Sequence, residues 1–340
     1  RHKQGRLIGK MESLGFSLQS DAILETMTLE ALKSNEIEGE ILNAEQVRSS
    51  LARRLGLDVA GIIPSDRNVE GVVEVMLDAT QGYLSSLTED RLFSWHAALF
   101  PTGRIGLRKI TVGDWRNSGE TMQVVSGAMG REKVHYEAPV DENVPKEMSK
   151  FLEWFNSRIE IDPVLKAAIA HLWFVTIHPF EDGNGRLART IADMQLTRAD
   201  GIVQRFYSMS AQIRIERNAY YDILEKTQKG TLDITEWLEW FLNCLARAIS
   251  YSDIVLARVL KKAKIWELLA TKKINDRQRI IINKLLDNFE GKLTSTKYAK
   301  IAKCSSDTAL RDLQNLISQG VLVKEAGGSR STSYAIVEID

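Results

Sequence analysis

The segment Ile177–Thr190, IHPFEDGNGRLART, constrains the fold most, because it connects two helix-forming stretches through a short loop. The apolar stretch before it must end at the start of this segment, since Pro179 lacks the backbone N–H that a continuing helix requires. Gly183 and Gly185 favour an irregular backbone, and GRLARTIADMQLTRADG then predicts a helix that closes at Gly201. The sequence therefore predicts a loop that leads directly into a helix N-terminus.

A loop of this kind is a candidate site for a phosphate group. Unpaired N–H groups and the positive end of the helix dipole lie at a helix N-terminus. Gly183 and Gly185 would let the backbone approach an anion closely, and Asn184 could add a side-chain amide. Arg186 and Arg189 share one face of the first helical turn and could donate to phosphate oxygens in pairs.

Two further residues of the segment suggest phosphoryl chemistry. Asp182 could hold Mg²⁺ against the same phosphates, because this cation prefers oxygen ligands. His178 could accept a proton from an attacking hydroxyl. Each residue type also has an ordinary use, as a turn, a solvated face or a structural histidine, and the segment lacks the Gly-Lys-Ser/Thr ending of a Walker A loop. His171, on the same predicted helix as Ile177, is interpreted as structural.

Most of the remaining chain is predicted as helix. Asn43, with Gln46 three residues later, resembles a capping box that opens a helix to about Leu55. Asn143-Val144-Pro145 and Asp162-Pro163 each predict a helix start, because proline is tolerated in the first turn. Further helices are predicted over Thr28–Glu40, over AQIRIERNAYYDILEKTQKG as far as Gly230, and as one or two helices from Asp233 to about Ala270.

One β-hairpin interrupts this helical pattern, at about Gln123–Tyr136. The stretch GDWRNSGETMQVVSGAMGREKVHYEAPV has glycines at turn spacing between short β-prone runs, with the turn expected at Gly127–Gly130. A single hairpin cannot form a core inside a helical domain. We therefore expect it to cover another part of the molecule.

The pattern changes again after Asn275. Three short helix patterns are followed by two strands around a Gly-Gly turn, which is the order of a winged helix-turn-helix. Lys261–Asp340 holds 15 basic against 9 acidic residues, which indicates an anionic partner. DNA binding by this part is possible on these grounds, although the presumed recognition helix, SSDTALRDLQNLISQG, has Arg311 as its one basic residue.

Composition narrows the class of protein only broadly. The chain has 340 residues, of which 44% are hydrophobic, and its formal net charge is zero, so no overall field favours nucleic acid or membrane. Its two cysteines, Cys244 and Cys304, form no disulfide framework and suggest a reducing, cytoplasmic location. The chain begins at Arg1 rather than Met, which is compatible with a fragment.

The order His-Pro-Phe-x-Asp-Gly-Asn-Gly-Arg-x-x-Arg in this segment resembles the signature of the Fic family at every fixed position. This resemblance implies an enzyme that transfers AMP from ATP to a Ser, Thr or Tyr hydroxyl of a protein. His178 would deprotonate that hydroxyl and Asp182 would bind Mg²⁺. The remaining residues would form an anion hole and hold the β- and γ-phosphates, namely Gly183, Asn184, Gly185, Arg186 and Arg189.

A second stretch, SNEIEG from Ser34 to Gly39, resembles the inhibitory pattern of the same family, Ser/Thr-x-x-x-Glu-Gly/Asn. The resemblance implies that Glu38 pairs with Arg189 and keeps the γ-phosphate from its position. One carboxylate can compete in this way with a phosphate for one guanidinium. The alternatives are that Glu36, Glu38 and Glu40 form a solvated acidic helix end, or that Glu38 orients a water to remove AMP again.

The resemblance also assigns roles outside the two motifs. The predicted hairpin would be the flap of the family, in which Val134, His135 and Tyr136 dock an extended target segment by strand addition. Asn218 and Tyr221, in NAYYDILE, resemble the part that lines the adenine pocket. The N-terminal segment and the C-terminal winged helix resemble parts of multidomain bacterial Fic proteins.

The sequence as a whole predicts a mainly α fold class with a Fic-type helical core, a β-hairpin flap and a C-terminal winged helix-turn-helix domain. Four divisions are expected, with the inhibitory helix in the first and the catalytic core in the second: residues 1–64, 65–232, 233–272 and 273–340. ATP and a protein substrate are the expected partners, with a homodimer plausible and no membrane. A different donor, such as UTP or a phosphocholine carrier, or a DNA-binding regulator, is the alternative.

Overall fold

A computed structural model describes residues 2–57, 61–117, 119, 121–126, 133–286, 289, 291–325 and 332–337. This part of the chain is mainly helical, with three two-stranded antiparallel sheets among the described residues. The chain divides into two compact units, residues 1–57 with 62–255, and residues 58–61 with 256–340. The expected mainly α class is confirmed.

The first unit contains most of the helices. Its first half holds α1 (His2–Glu12), α2 (Phe16–Ile37), α3 (Ala44–Arg54), α4 (Arg67–Gln81), α5 (Glu89–Leu99), β1 (Arg104–Ile105), β2 (Arg108–Lys109), β3 (Gln123–Ser126) and β4 (Lys133–Glu137). Its second half holds α6 (Val144–Asn156), α7 (Pro163–Ile177), α8 (Asn184–Asp200), α9 (Met209–Ile215), α10 (Arg217–Lys229) and the start of α11 (Thr235–Leu269).

Local capping signals place several of these helices. The Asn43 side chain accepts hydrogen bonds from two N–H groups of the first turn of α3, and Asp162 accepts one from the first turn of α7. At the other end of α8, Gly201 adopts the left-handed conformation, with φ +75°, that a helix terminus favours. The predicted starts of α3 and α7 and the predicted end of α8 are therefore confirmed.

The centre of the first unit is the α7–α8 pair, which the motif loop connects. Ala167 and Phe174 of α7 and Leu187 and Ile191 of α8 are fully buried. Each large apolar side chain buried in this way contributes on the order of 1.5–3 kcal/mol to stability. The Trp237 indole of α11 donates to the Ala168 carbonyl at 2.8 Å, so α7 is enclosed on this side as well. The loop between α7 and α8 thus starts and ends in rigid helices.

Helix α2 packs against α8 and α9. Its buried Glu30 accepts hydrogen bonds from the Ser208 hydroxyl at 2.7 Å and from the Ser210 N–H at 3.1 Å. The predicted helix over Thr28–Glu40 is in fact longer at its start and shorter at its end, since α2 covers Phe16–Ile37. It ends there because Gly39 adopts a left-handed backbone, with φ +87°.

The predicted single helix over AQIRIERNAYYDILEKTQKG is wrong, because the structure has two helices, α9 and α10, that meet at Glu216. Glu216 has φ −101° and ψ 26°, outside the helical range. Its carboxylate accepts two hydrogen bonds from Arg247 of α11, both at 2.6 Å. A bidentate pair with a distant helix holds this residue in place, and no local sequence signal marks it. The stretch from Asp233, for which one or two helices were open, forms the single helix α11.

The predicted hairpin is present as β3 and β4, which pair in antiparallel register with Gln123 opposite Glu137. The register shifts between Val124 and Val125, a β-bulge. The expected turn at Gly127–Gly130 lies outside the described residues. A second short hairpin, β1–β2, was not predicted.

The second unit contains α12 (Asp276–Leu286), α13 (Ser295–Ile301), α14 (Ser306–Ser318), β5 (Leu322–Lys324) and β6 (Tyr334–Ile336), together with the end of α11. Its core is formed by apolar side chains from these elements, among them Ile281, Tyr298, Leu313 and Leu316. Strands β5 and β6 pair in antiparallel register. The helix order and the hairpin are as predicted, while membership of the winged-helix class stays a prediction.

None of the helices in the described part of the chain has both the length and the apolar character that crossing a bilayer requires.

Candidate active site

The motif loop begins at His178, directly after α7. This residue adopts a left-handed backbone with φ 52° and ψ 57°, which is uncommon for a residue other than glycine. Its Nδ1 lies 3.1 Å from the Val175 carbonyl oxygen, and since a carbonyl only accepts, Nδ1 must carry the hydrogen. The other ring nitrogen, Nε2, is then the basic one. Burial lowers the pKa of His178, so the ring is neutral near pH 7.

Arg116 fixes the backbone of this residue from outside the motif. The Arg116 Nε donates to the His178 carbonyl at 2.8 Å, and the Arg116 N–H donates to the Pro179 carbonyl at 2.9 Å. The guanidinium is fully buried and also pairs with Asp141 and with the Pro139 carbonyl. The position of the imidazole therefore depends on a buried ion pair that the sequence analysis did not identify.

We expect Arg116→Ala to lower the free energy of unfolding by about 3–5 kcal/mol, because it leaves Asp141, which is 9% exposed, without its guanidinium. Urea unfolding measures this change. The matched control is Arg108→Ala, since Arg108 pairs with Glu181 but is 66% exposed. That variant should cost about 1 kcal/mol or less. Equal losses in the two variants would contradict the structural role of Arg116.

The rest of the loop is closed by its own polar groups. The Asn184 side chain accepts from the Phe180 N–H at 3.0 Å and donates to the Phe180 carbonyl at 2.8 Å. The side-chain carbonyl of Asn184 and one of its two amide hydrogens are therefore engaged within the loop, and contact of this residue with a phosphate stays a prediction. Gly183 has φ +82°, and a Cβ there would lie 2.9 Å from the Phe100 ring. Glycine is required at this position by both conformation and space.

The first turn of α8 carries two buried arginines, as predicted. Arg189 is 3% exposed, and its Nη2 donates to Glu38 Oε1 at 2.7 Å. Its Nε donates to the Ser34 hydroxyl at 3.0 Å, and Nη2 also reaches the Ser34 carbonyl at 2.9 Å. Burial alone would raise the pKa of Glu38, but the charge and hydrogen bond of Arg189 outweigh it and leave that pKa lowered. Glu38 is therefore ionised and bound to Arg189.

Arg186 is held by the same segment of the chain. It is 4% exposed, and its Nη1 donates to Glu40 Oε2 at 2.7 Å and lies 3.5 Å from Asn35 Oδ1. Its guanidinium also lies over the Phe100 ring, 4.8 Å from the ring centroid. No local pattern in the sequence marks Glu40 as a partner of the motif. Both motif arginines thus pair with carboxylates at the end of α2.

The geometry of the loop fits a polyphosphate. Within the part of the chain that the structure describes, Arg186 Nε and Arg189 Nη1 are buried without a hydrogen-bond partner. Buried donors of this kind are costly unless a ligand satisfies them. A Cβ at Gly185 would lie 2.4 Å from Glu38 Oε1, so Glu38 lies directly over the glycine backbone that a phosphate would approach.

A metal site built by the protein alone is not found among the described residues, since no group of three or more His, Cys, Asp and Glu side chains is placed to form one. Asp182 accepts from the Gly183 N–H at 2.5 Å through Oδ1. One carboxylate that shares Mg²⁺ with substrate phosphates is the usual arrangement for this ion. The donor set therefore fits a magnesium ion that enters with a nucleotide.

The residues proposed for an adenine pocket lie on α10. The Tyr221 hydroxyl is 3.3 Å from Glu38 Oε2 and 3.4 Å from the Ile37 carbonyl. Arg217, one turn earlier, donates to the same carbonyl at 2.7 Å. Asn218 is exposed. Tyr221 therefore contacts the end of α2, and contact of either residue with adenine stays a prediction.

The three flap residues differ in their surroundings. His135 Nδ1 lies 2.5 Å from Glu225 Oε2 of α10, and the Tyr136 hydroxyl donates to the Thr176 carbonyl at 2.9 Å. Both bonds attach β4 to the helical body beside the motif. Val134 is 41% exposed and, of the three, is the one accessible to a docking segment.

His171 has the structural position that the sequence analysis gave it. It is 1% exposed, its Nε2 lies 2.9 Å from the Tyr220 hydroxyl, and burial lowers its pKa to about 3.

One family model matches the part of the chain that contains this site. Residues 86–196, which include the loop and both arginines, match the model of the Fic/DOC family. Residues 1–57, which include α2, match a model described as a domain of unknown function, DUF4172.

Named relatives are similar to the chain over part of their length. The protein adenylyltransferase Fic of Aedes aegypti is 27% identical over 219 residues, which is 63% of this chain and 39% of that protein. The protein of the same name from Nematostella vectensis is 33% identical over 115 residues, 33% of this chain and 25% of that protein. The chain thus spans about two fifths or less of the length of these two relatives.

Solved structures share the fold. A Fic family protein from Desulfovibrio desulfuricans G20 has a TM-score of 0.52 at 22% identity, covering 100% of this chain and 95% of that chain. A Fic domain containing signaling protein from Bacteroides thetaiotaomicron VPI-5482 has the same TM-score of 0.52 and identity of 22%, covering 75% of this chain and 97% of that chain.

Proposed function

We propose that this protein is a protein adenylyltransferase, which transfers AMP from ATP to a Ser, Thr or Tyr hydroxyl of a target protein. The observation that carries the proposal is the joint presence, at one helix N-terminus, of an imidazole with a basic Nε2 and two buried arginines with unpaired N–H groups. The names of the relatives support the same reaction.

The chemical step follows from these groups. The target hydroxyl oxygen attacks the α-phosphorus of ATP, and its proton moves to His178 Nε2. A new P–O ester bond forms, the bond from the α-phosphorus to the bridging oxygen breaks, and pyrophosphate leaves. Gly183, Gly185 and the N–H groups at the start of α8 would stabilise the charge on the phosphates.

Arg186 and Arg189 would bind the β- and γ-phosphates through their unpaired N–H groups and through those that now donate to Glu40 and Glu38. When bound, Mg²⁺ neutralises phosphate charge, and Asp182 is the side chain that would hold it. The ends of α7 and α8 are rigid and would hold these groups in fixed positions. Such positioning is a main requirement in phosphoryl transfer.

The same proposal includes inhibition by the end of α2. Glu38 occupies one N–H of Arg189 and lies over Gly185, where a phosphate would have to approach. Glu40 occupies an N–H of Arg186. ATP can bind in the reactive position only when Glu38 leaves, because a phosphate would need the Arg189 donor and the space over Gly185 that this carboxylate occupies. Inhibition therefore acts at both phosphate-binding arginines.

We expect Glu40→Gln to strengthen binding of a non-hydrolysable ATP analogue by only about 2- to 5-fold. Glu40 is 47% exposed, and half-exposed ion pairs contribute about 0.5–1 kcal/mol. Isothermal titration calorimetry measures the affinity. The matched control is Glu36→Gln, at the same helix end, because Glu36 pairs with Lys33 and Arg214 and not with the motif. An equal gain from both variants would show a general charge effect.

The proposed activity is tested by mass spectrometry of intact proteins and their peptides. The wild-type and Glu38→Gly proteins are incubated with a cell lysate, Mg²⁺ and each nucleoside triphosphate in turn. Addition of the mass of AMP to Ser, Thr or Tyr, on this protein or another, is the expected result. Addition of UMP would support the transfer reaction but show that UTP is the donor. Removal of AMP from a modified protein would indicate the reverse activity.

Several parts of the expected biology stay predictions, among them a homodimer, a cytoplasmic location and docking of the target along β4. DNA binding by the second unit also stays a prediction. An open cleft of about 830 Å³ there is lined by Lys272, Lys273 and Arg311, among other residues, which is compatible with an anionic partner. Arg277, in the same cleft, is already paired with Asp312 at 2.8 Å.

A further inference from the structure

His96 of α5 lies beneath the motif loop, although 86 residues separate it from Asp182. It is fully buried. The Gly113 N–H donates to its Nδ1 at 3.5 Å, so Nδ1 is the accepting nitrogen and Nε2 carries the hydrogen. Nε2 lies 3.2 Å from the Asp182 carbonyl oxygen and donates to it. The Gly113 N–H thus sets the tautomer of the ring, and this tautomer lets Nε2–H donate to the Asp182 carbonyl.

The ring contacts the loop at two further places. It stacks on Phe180, with 4.1 Å between ring centroids and 11° between planes. A Cβ at Gly183 would lie 3.8 Å from the His96 ring, so the imidazole also borders this glycine. Three residues of the loop between α7 and α8 are therefore held from below by one side chain.

The hydrogen bond matters because of what it fixes. The peptide that follows Asp182 leads into Gly183, which has no side chain to restrict its backbone. Rotation of that peptide would carry the Gly183 N–H away from Asp182 Oδ1, to which it donates, and would release the carboxylate from its place in the loop. A donor on the Asp182 carbonyl opposes this rotation.

We propose that His96 is a positioning residue, whose Nε2–H holds the Asp182–Gly183 peptide so that the carboxylate can hold a divalent cation against bound phosphates. This inference rests on the proposed nucleotide-binding function. Groups that orient a metal ligand typically change metal affinity or activity 10- to 100-fold when they are removed. His96 would act through the Asp182 carbonyl, to which it donates, and not through a contact of its own with the substrates.

The experiment uses the full chain with Glu38→Gly as the parent, so that the phosphate site is accessible. His96→Phe retains the stacking ring and removes the donor, whereas His96→Gln supplies an amide N–H at a similar reach. Phe151→Leu is the control for lost packing, because Phe151 is fully buried in α6 among other aromatic rings. Binding of Mn²⁺ in the presence of ADP is measured by electron paramagnetic resonance, and binding of ADP without metal by calorimetry.

We expect His96→Phe to weaken Mn²⁺ binding in the ADP complex by about tenfold or more, with little change in metal-free ADP binding. His96→Gln should recover most of the Mn²⁺ affinity. Phe151→Leu should lower the melting temperature and leave the Mn²⁺ affinity at the parent value. A spectroscopic check is the ¹⁵N NMR spectrum of the parent, in which the His96 ring should be neutral with the hydrogen on Nε2.

Two results would overturn the inference: Mn²⁺ affinity unchanged in His96→Phe, or no recovery in His96→Gln. Failure of the proposed function is distinguishable from both. A Glu38→Gly parent that binds Mn²⁺ and ADP but labels no protein would contradict the transferase proposal and leave the metal measurements on His96 decisive. A parent that binds neither ADP nor Mn²⁺ would overturn both.

Discussion

His178→Ala, in a Glu38→Gly protein, is expected to lower the rate of AMP transfer from labelled ATP by about 10²–10⁴-fold, because it removes the general base. Binding of an ATP analogue should stay within about twofold of the parent, since the phosphates contact the arginines and the helix N-terminus instead. Autoradiography of labelled protein measures transfer, and calorimetry measures binding. Loss of binding together with transfer would show that His178 supports the loop and does not act as a base.

The pH dependence gives a second measure of the same residue. Burial lowers the pKa of His178 from its ordinary value of 6.5, so the basic form persists to lower pH than in a free histidine. In the Glu38→Gly protein, the rate should therefore hold as the pH falls through 6.5 and decline only below it. A decline centred at or above pH 6.5 would contradict this assignment. The charge of Arg116 lowers this pKa in the same direction as burial, whereas the bond to the Val175 carbonyl opposes the shift.

Glu38→Gly is expected to raise AMP transfer by about 10- to 100-fold over the wild-type protein. Hydrogen bonds between charged groups contribute about 1.5–3 kcal/mol, and the Arg189 partner here is almost fully buried. Removal of the carboxylate frees Arg189 and uncovers Gly185 for the γ-phosphate. Glu38→Gln, which keeps the size of the side chain but removes its charge, should give an intermediate rate.

The same substitution should make stability depend on nucleotide. Glu38→Gly leaves the Arg189 guanidinium buried without its counter-charge, so the melting temperature in buffer should fall. ATP with Mg²⁺ should then raise it by more than in the wild-type protein, because the ligand binds the folded state more tightly. Differential scanning fluorimetry measures both effects. Equal transfer rates and equal ATP-induced shifts in the two proteins would rule out inhibition by Glu38.

The parts of the site that could be predicted from sequence are those encoded locally. Pro179 ends α7, the glycines shape the loop, and the spacing of Arg186 and Arg189 places both on the first turn of α8. The pairing of Glu38 with Arg189 was expected only from a resemblance, since no local rule connects residues so far apart. The structure has these groups in contact.

The remaining parts depend on contacts between distant segments. Arg116 supports His178, and His96 supports Asp182, from positions 62 and 86 residues earlier in the chain. A buried arginine and a buried histidine have no periodicity or spacing that distinguishes them from surface residues. The break between α9 and α10 at Glu216 is similar, because Arg247 of another helix holds it. Tertiary contacts of this kind override local propensity.

The way α2 is attached has a consequence for how the protein would be switched on. Glu30 is bound by Ser208 and Ser210 two turns before the residues that hold the arginines. Glu38 and Glu40 follow the last residue of the helix, Ile37, so movement of this short segment alone would withdraw both carboxylates while α2 remained docked. A partner that grips the chain just beyond Gly39 could therefore relieve the block without dissociating a whole domain.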